Sequence, residues 1–449
     1  VNVYKMFCFL TVYLLLNSKN NILLPLTTNF LPQKKLIMIK KYFDNFKGFP
    51  KEVWILTLIT FINRAGTMVI PFLSKYMKEN LEFTYSQIGW VMVFFGIGSI
   101  IGTWLSGKLS DKIGFYKVMV FSLFASGIVF ILLQYATTFE ELCVGILILT
   151  TIADMFRPAM LVCLKTFTEK EDRARAYSLT RAAINLGFLF GPVLGGLIIM
   201  QMGYEYIFYV DGITCIMAII VFVLFVKEKK LPIKVRKESK EKVKVSVMKD
   251  RPFMLHLVIC LITGILFFQI FTTLPLYHKE RFNMTEFDSG LLLSLNGLLI
   301  LLFELPIVNY VSRNKINNHK VISFGLLLMA TSFLLLLLPF EVVLIPMMFF
   351  MTCGVMLTFP FANSFAMDRS HMQEGKYMAA FTMSYSFAHI LSAKTGMEII
   401  QNSGYESNWV FMTCLGVVGT LLVFRLSKMV EKEELKDPAM VTVEVNDRK

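Results

Sequence analysis

The chain has 449 residues, 55% of them hydrophobic and 17% charged, with seven cysteines and five histidines. That balance excludes an ordinary water-soluble globule, and Cys and His so scattered, with no C-x-x-C, exclude a zinc module or a disulfide scaffold; no metal and no cofactor are expected. The net charge of +13 would suit nucleic acid only if gathered on one folded face, but it is spread over alternate connections between apolar segments, so no nucleic-acid partner is expected.

In hydrocarbon every backbone donor and acceptor must be satisfied within the segment, so apolar stretches of roughly 20 residues become helices. Twelve are predicted, at 53–76, 85–107, 115–138, 140–163, 177–201, 206–227, 252–276, 288–311, 319–338, 341–366, 377–400 and 407–427. Ahead of them, Met6 to Leu16 is apolar but short for a span, and Met38-Ile39-Lys40-Lys41 makes an ordinary start. Residues 1–37 are therefore expected to be upstream sequence from a mistaken start, and 38–52 a cytoplasmic stub.

Between the second and third segments, Gly107-Lys108-Leu109-Ser110-Asp111-Lys112-Ile113-Gly114-Phe115-Tyr116-Lys117 reads as a short, tightly turned loop. The two glycines allow a sharp turn, Asp111 is placed to cap the following helix, and Lys108, Lys112 and Lys117 hold the loop on the cytoplasmic side. Gly102, Gly107 and Lys108 have the spacing of a phosphate loop, but Leu109 stands where magnesium binding needs Ser or Thr. The stretch resembles instead the pattern G-x-L-[AS]-D-[RK]-x-G-x-x-[RK] between helices 2 and 3 of the major facilitator superfamily. Phe115 departs from it where that family often carries a basic residue.

The resemblance implies an all-α membrane protein of twelve transmembrane helices in two pseudo-symmetric six-helix bundles around a central cavity. The bundles would be 53–227 and 252–427, joined by a basic cytoplasmic linker, 228–251, and followed by a cytoplasmic tail, 428–449. The halves echo each other: Pro71 and Gly89 in the first have counterparts in Pro275 and Gly290 of the second. Lys and Arg crowd alternate loops while Glu140, Glu205, Glu341 and Glu406 mark the others, so both termini are expected in the cytoplasm of a cell with this chain in its inner membrane. In the fifth segment, Gly187, Gly191, Pro192, Gly195 and Gly196 resemble the G-x-x-x-G-P-x-x-G-G motif of the family's drug/proton antiporters. The same residues would also serve as a packing seam.

Ionisable groups inside apolar segments are costly and point to function. Asn63 and Arg64 lie in the first segment, Asp154 and Arg157 in the fourth, Gln269 in the seventh, Asn296 and Glu304 in the eighth, and His389, Lys394 and Glu398 in the eleventh. Glu304, Arg64 and His389 are the expected transport and coupling residues, with Glu304 either carrying the proton or locked to a cation such as Arg64. Asn63, Gln269 and Asn296 are expected to supply cavity hydrogen bonds. Asp154 and Arg157 are expected to pair at i, i+3, and the resemblance implies that they serve the gate with Gly107, Asp111, Lys112, Gly114 and Lys117.

The expected function is proton-coupled export of small amphipathic or hydrophobic compounds by a monomer in the lipid bilayer. Proton-coupled uptake of a small anionic or zwitterionic solute such as a peptide or sugar acid, with Arg64 as clamp, is the alternative. A membrane-embedded enzyme or a nontransporting sensor is more remote, since neither the H-E-x-x-H pattern nor an aspartate cluster occurs.

Overall fold

Every regular element among the described residues is helical, as expected where lipid offers the backbone no hydrogen bonds. The structure is a computed structural model that describes residues 48–66, 68–169, 172–228, 247–370 and 374–436. The expected upstream segment 1–37, most of the stub and linker, and the end of the tail lie outside the described residues.

In chain order the helices are α1 (Lys51–Ala65), α2 (Val69–Glu79), α3 (Tyr85–Ile113), α4 (Phe115–Leu133), α5 (Phe139–Ala153), α6 (Phe156–Phe167) and α7 (Arg173–Met202). They continue with α8 (Glu205–Phe225), α9 (Arg251–Thr272), α10 (Leu274–Phe282), α11 (Glu286–Arg313), α12 (Asn318–Leu335), α13 (Leu344–Arg369) and α14 (Glu374–Lys436). Among the described residues 11 helical stretches are long and apolar enough to cross a membrane. Within α14, Gly404 is non-helical (φ 80°, ψ 175°), so two helices meet at a kink between the expected eleventh and twelfth segments.

Local chemistry explains where the long helices begin. Thr84 with Gln87, Thr138 with Glu141 and Thr285 with Asp288 form reciprocal capping boxes at the starts of α3, α5 and α11. Each satisfies backbone N–H groups that a helix start leaves unpaired.

The charged stretch after Gly107 is not the loop expected from its composition. Helix α3 runs on through Ile113 and the chain turns at Gly114 alone, whose φ of 92° suits glycine. Asp111 therefore lies within α3 and caps nothing: Gly114 is the N-cap of α4 and no side-chain bond closes that end.

Buried apolar residues fall into two clusters, one drawn mainly from Phe49 to Val226 and the other from Phe253 to Leu426. The two halves of the chain meet where α7 packs on α11, α3 on α14, and α2 on α10. Glycines set the spacing within the first half. A Cβ on Gly102 would stand 2.3 Å from the Thr151 carbonyl oxygen, and one on Gly98 2.0 Å from Thr150 Oγ1.

At the basic end of the second half, Asp250 caps α9 by accepting from the Phe253 N–H. Its carboxylate also accepts from Arg369 Nε at 2.8 and 2.9 Å and from the Tyr377 hydroxyl at 2.9 Å. Burial alone would raise its pKa, but the bonds from Arg369, the Phe253 N–H and Tyr377 outweigh burial and hold it below the usual carboxylate value.

Two outcomes follow. Gly102→Ala should lower stability by about 1–3 kcal/mol through overpacking against backbone, read as a fall in thermal midpoint in detergent. The stabilisation from Asp250 is complete above the unfolded carboxylate pKa of ~3.9 and lost as pH falls through the lower folded value. Asp250→Asn should therefore flatten the loss of stability on acidification below about pH 4, measured by unfolding at stepped pH.

Candidate functional site

The first and fourth apolar segments are each broken near mid-depth, and the breaks are neighbours. Between α1 and α2 the exposed backbone is claimed by Asp211, which projects from α8 and is fully buried. Its two oxygens accept from the Met68 N–H at 2.9 Å each, and one also accepts from the Val69 N–H at 2.9 Å. A carboxylate from another helix thus does what an N-cap residue ordinarily does, where the helix dipole favours negative charge. Gly66 permits the approach, since a Cβ there would meet Thr214 Oγ1 at 2.1 Å.

Between α5 and α6 the cause is Pro158, which has no N–H to give the Asp154 carbonyl. Nearby carbonyls are met from other helices: Ser122 donates to Ile152 O at 2.6 Å and Ser106 to Met155 O at 2.7 Å.

A pocket partly open to solvent lies between these breaks and is lined by Asn63, Arg64, Phe95, Asp154, Phe156 and Arg157 among others. Among the described residues no ion pair joins Asp154 to Arg157, contrary to the i, i+3 expectation. Both act instead on Arg64, Asp154 attracting its guanidinium and Arg157 repelling it. The amide of Asn63 donates to Cys215 Sγ at 3.6 Å.

The glycine run of α7 holds this pocket's wall. A Cβ on Gly187 would stand 2.4 Å from Arg64 Cβ, one on Gly191 3.2 Å from Ala65 O, and one on Gly195 3.0 Å from Met68 Cβ. The far end of the run faces the other half: a Cβ on Gly196 would lie 2.5 Å from Glu286 O, and one on Gly290 2.3 Å from Pro192 O.

Glu304 pairs not with Arg64 but with Arg181 of α7, across the two halves. Its side chain is 11% exposed and that of Arg181 58%. Toward the acidic end the halves are joined by Lys75, fully buried, which meets Glu286 at 2.5 Å. There the Tyr204 hydroxyl lies 3.2 Å from both Glu79 and Glu286. Lys394 pairs with Glu398 one helical turn on, and Glu398 accepts from Ser86 at 2.6 Å.

The other predicted residues lie apart from the pocket. His389 sits between Phe95 and Phe268, each ring 4.7 Å away. Gln269 is fully buried and donates to the Ser392 carbonyl and hydroxyl at 2.9 Å while accepting from Thr273 at 2.5 Å. Asn296 donates to Thr352 Oγ1 at 2.9 Å. Asp111, Lys112 and Lys117 are exposed at the basic end with Gly107 and Gly114, and Asp111 lies more than a helical turn beyond Ser106, the α3 residue that reaches the α5–α6 break.

Many apolar helices and broken spans around a polar pocket define an integral, multi-pass membrane protein of the transporter class. The chain belongs to the Major Facilitator Superfamily, whose family model matches residues 53–393. It is 28% identical over 266 residues to the uncharacterized MFS-type transporter YqjV of Bacillus subtilis, a match spanning 58% of this chain and 65% of that protein. It is 21% identical over 387 residues to a Na(+), Li(+), K(+)/H(+) antiporter of Planococcus maritimus, covering 78% of this chain and 89% of the relative. Against the quinolone resistance protein NorA of Staphylococcus aureus it is 22% identical over 256 residues, 57% of this chain and 66% of NorA. Among solved structures, a POT family transporter in complex with a thioalcohol-conjugated peptide superposes with a TM-score of 0.73 at 17% identity, covering 86% of this chain and 98% of that one, which shows the shared fold.

Asp211→Ala should cost about 2–3 kcal/mol by leaving the Met68 and Val69 N–H groups without their acceptor, with Asp211→Asn less damaging. Thermal unfolding of the purified variants checks the order.

Proposed function

We propose that the protein is a secondary active transporter of the cell (inner) membrane that exports small amphipathic or hydrophobic compounds in exchange for protons. In this reading twelve helices form two six-helix bundles, both termini are cytoplasmic, a monomer holds the whole cavity, and the site opens alternately to either face. The basic end is the cytoplasmic one by the distribution of Lys and Arg.

The observation that carries the reading is the Arg181–Glu304 pair, a carboxylate within an apolar span held by a cation of the opposite half. Protonating Glu304 removes its charge and with it the attraction to Arg181, so proton occupancy and separation of the halves become linked equilibria. The antiporter named among the relatives, and the drug-resistance protein, support exchange and export. Lys75–Glu286 and Tyr204 then act as the latch of the opposite face.

Inverted membrane vesicles with an acid interior test the reading. A transported compound should dissipate the pH gradient, and Glu304→Gln should reduce that flux at least about tenfold, equivalent to ~1.4 kcal/mol of lost coupling. Dissipation undiminished in Glu304→Gln would remove the carboxylate from the mechanism.

A further inference from the structure

The pocket between the two helix breaks carries an unbalanced charge. Of its lining residues, Arg64 and Arg157 are cationic and Asp154 is the one anionic group. The neighbouring carboxylates are committed elsewhere: Asp211 does not line the pocket and accepts from the Met68 and Val69 N–H groups, and Glu304 is paired with Arg181. Among the described residues neither Arg64 nor Arg157 has a hydrogen bond or an ion pair. A guanidinium keeps its proton at any physiological pH, so this positive charge cannot be relieved by titration. Asn63, Ser126 and Thr150 add neutral polar groups to the lining, and the remainder is largely apolar, with Phe95, Phe130 and Phe156 supplying aromatic surface.

We propose that this pocket selects small aromatic organic anions, with Arg64 and Arg157 binding the anionic group and the phenylalanines packing on the ring. The inference deepens the export reading and rests on it in one respect, that this pocket is where the transported compound binds. An anion gains charge-assisted hydrogen bonds from two unpartnered guanidinia, whereas a lipophilic cation of the same shape meets their repulsion. Asp154 moderates the field and favours anions of single charge, because a second negative group would face its carboxylate.

The test is equilibrium binding to the purified full chain in detergent with two probes of matched ring and opposite charge, 1-naphthoate and 1-naphthylmethylammonium. Naphthoate should bind saturably and at least about tenfold tighter than the ammonium. Arg64→Gln and Arg157→Gln should each weaken naphthoate about tenfold or more, Arg64→Lys should retain part of the affinity, and Asp154→Asn should tighten it. The Asp154→Asn variant keeps both guanidinia and moves affinity in the opposite direction, so with the probe pair it decides the matter even if the arginine variants fail to fold. Equal or tighter binding of the ammonium, binding of neither probe, or looser naphthoate binding by Asp154→Asn overturns the proposal. Loss of proton exchange in vesicles with naphthoate binding intact would instead sink the coupling reading and leave the pocket's selectivity standing.

Discussion

The rest of the structure depends on the requirement that no backbone donor or acceptor be abandoned in an apolar medium. A continuous helix meets that requirement within itself, but a continuous helix also offers no polar concavity. Here the first and fourth segments are interrupted, and the exposed backbone is taken over by side chains from elsewhere. Asp211 of α8 serves the break before α2, and Ser122 and Ser106, of α4 and α3, serve the break before α6. The polar pocket is thus a product of three helices that line it and also hold its walls open.

The two halves differ in what they bring together. The first concentrates Arg64, Asp154 and Arg157 beside its breaks. The second uses its polar residues internally, with Gln269 bound to Ser392 and Thr273, and Asn296 to Thr352. At their boundary His389 is enclosed by Phe95 of one half and Phe268 of the other.

Much of the fold was legible in sequence because span length and apolar content alone dictate membrane helices. The stretch after Gly107 misled for a physical reason: lysine side chains reach water from the end of a helix without the backbone leaving it, so charge there does not mean loop. The first segment read as unbroken, although Gly66 marks the break at which Asp211 was needed. Asp211 and Arg181 are ionisable groups inside apolar segments and answer to the argument that singled out Glu304, but each lies near a segment's predicted edge, where the cost looks smaller. Lys75 and Glu286 carried no such signal, because each reads as a boundary charge and only the packing of α2 against α9 and α10 brings them together.

The joint between α7 and α11 has a further consequence. At Gly196, Gly290 and Gly297 the two helices touch through bare main chain, with positions where a methyl group would lie within 3 Å of the partner's backbone. Surfaces without side chains have no rotamers to lose when pressed together and none to regain when parted, so engaging such a joint changes conformational entropy little. Under the proposed alternating access it would serve as a hinge pin whose stiffness varies weakly with temperature. The cost of swinging on that pin is then concentrated at the charged rim around it, and a single added methyl would act as a shim that sets the resting angle.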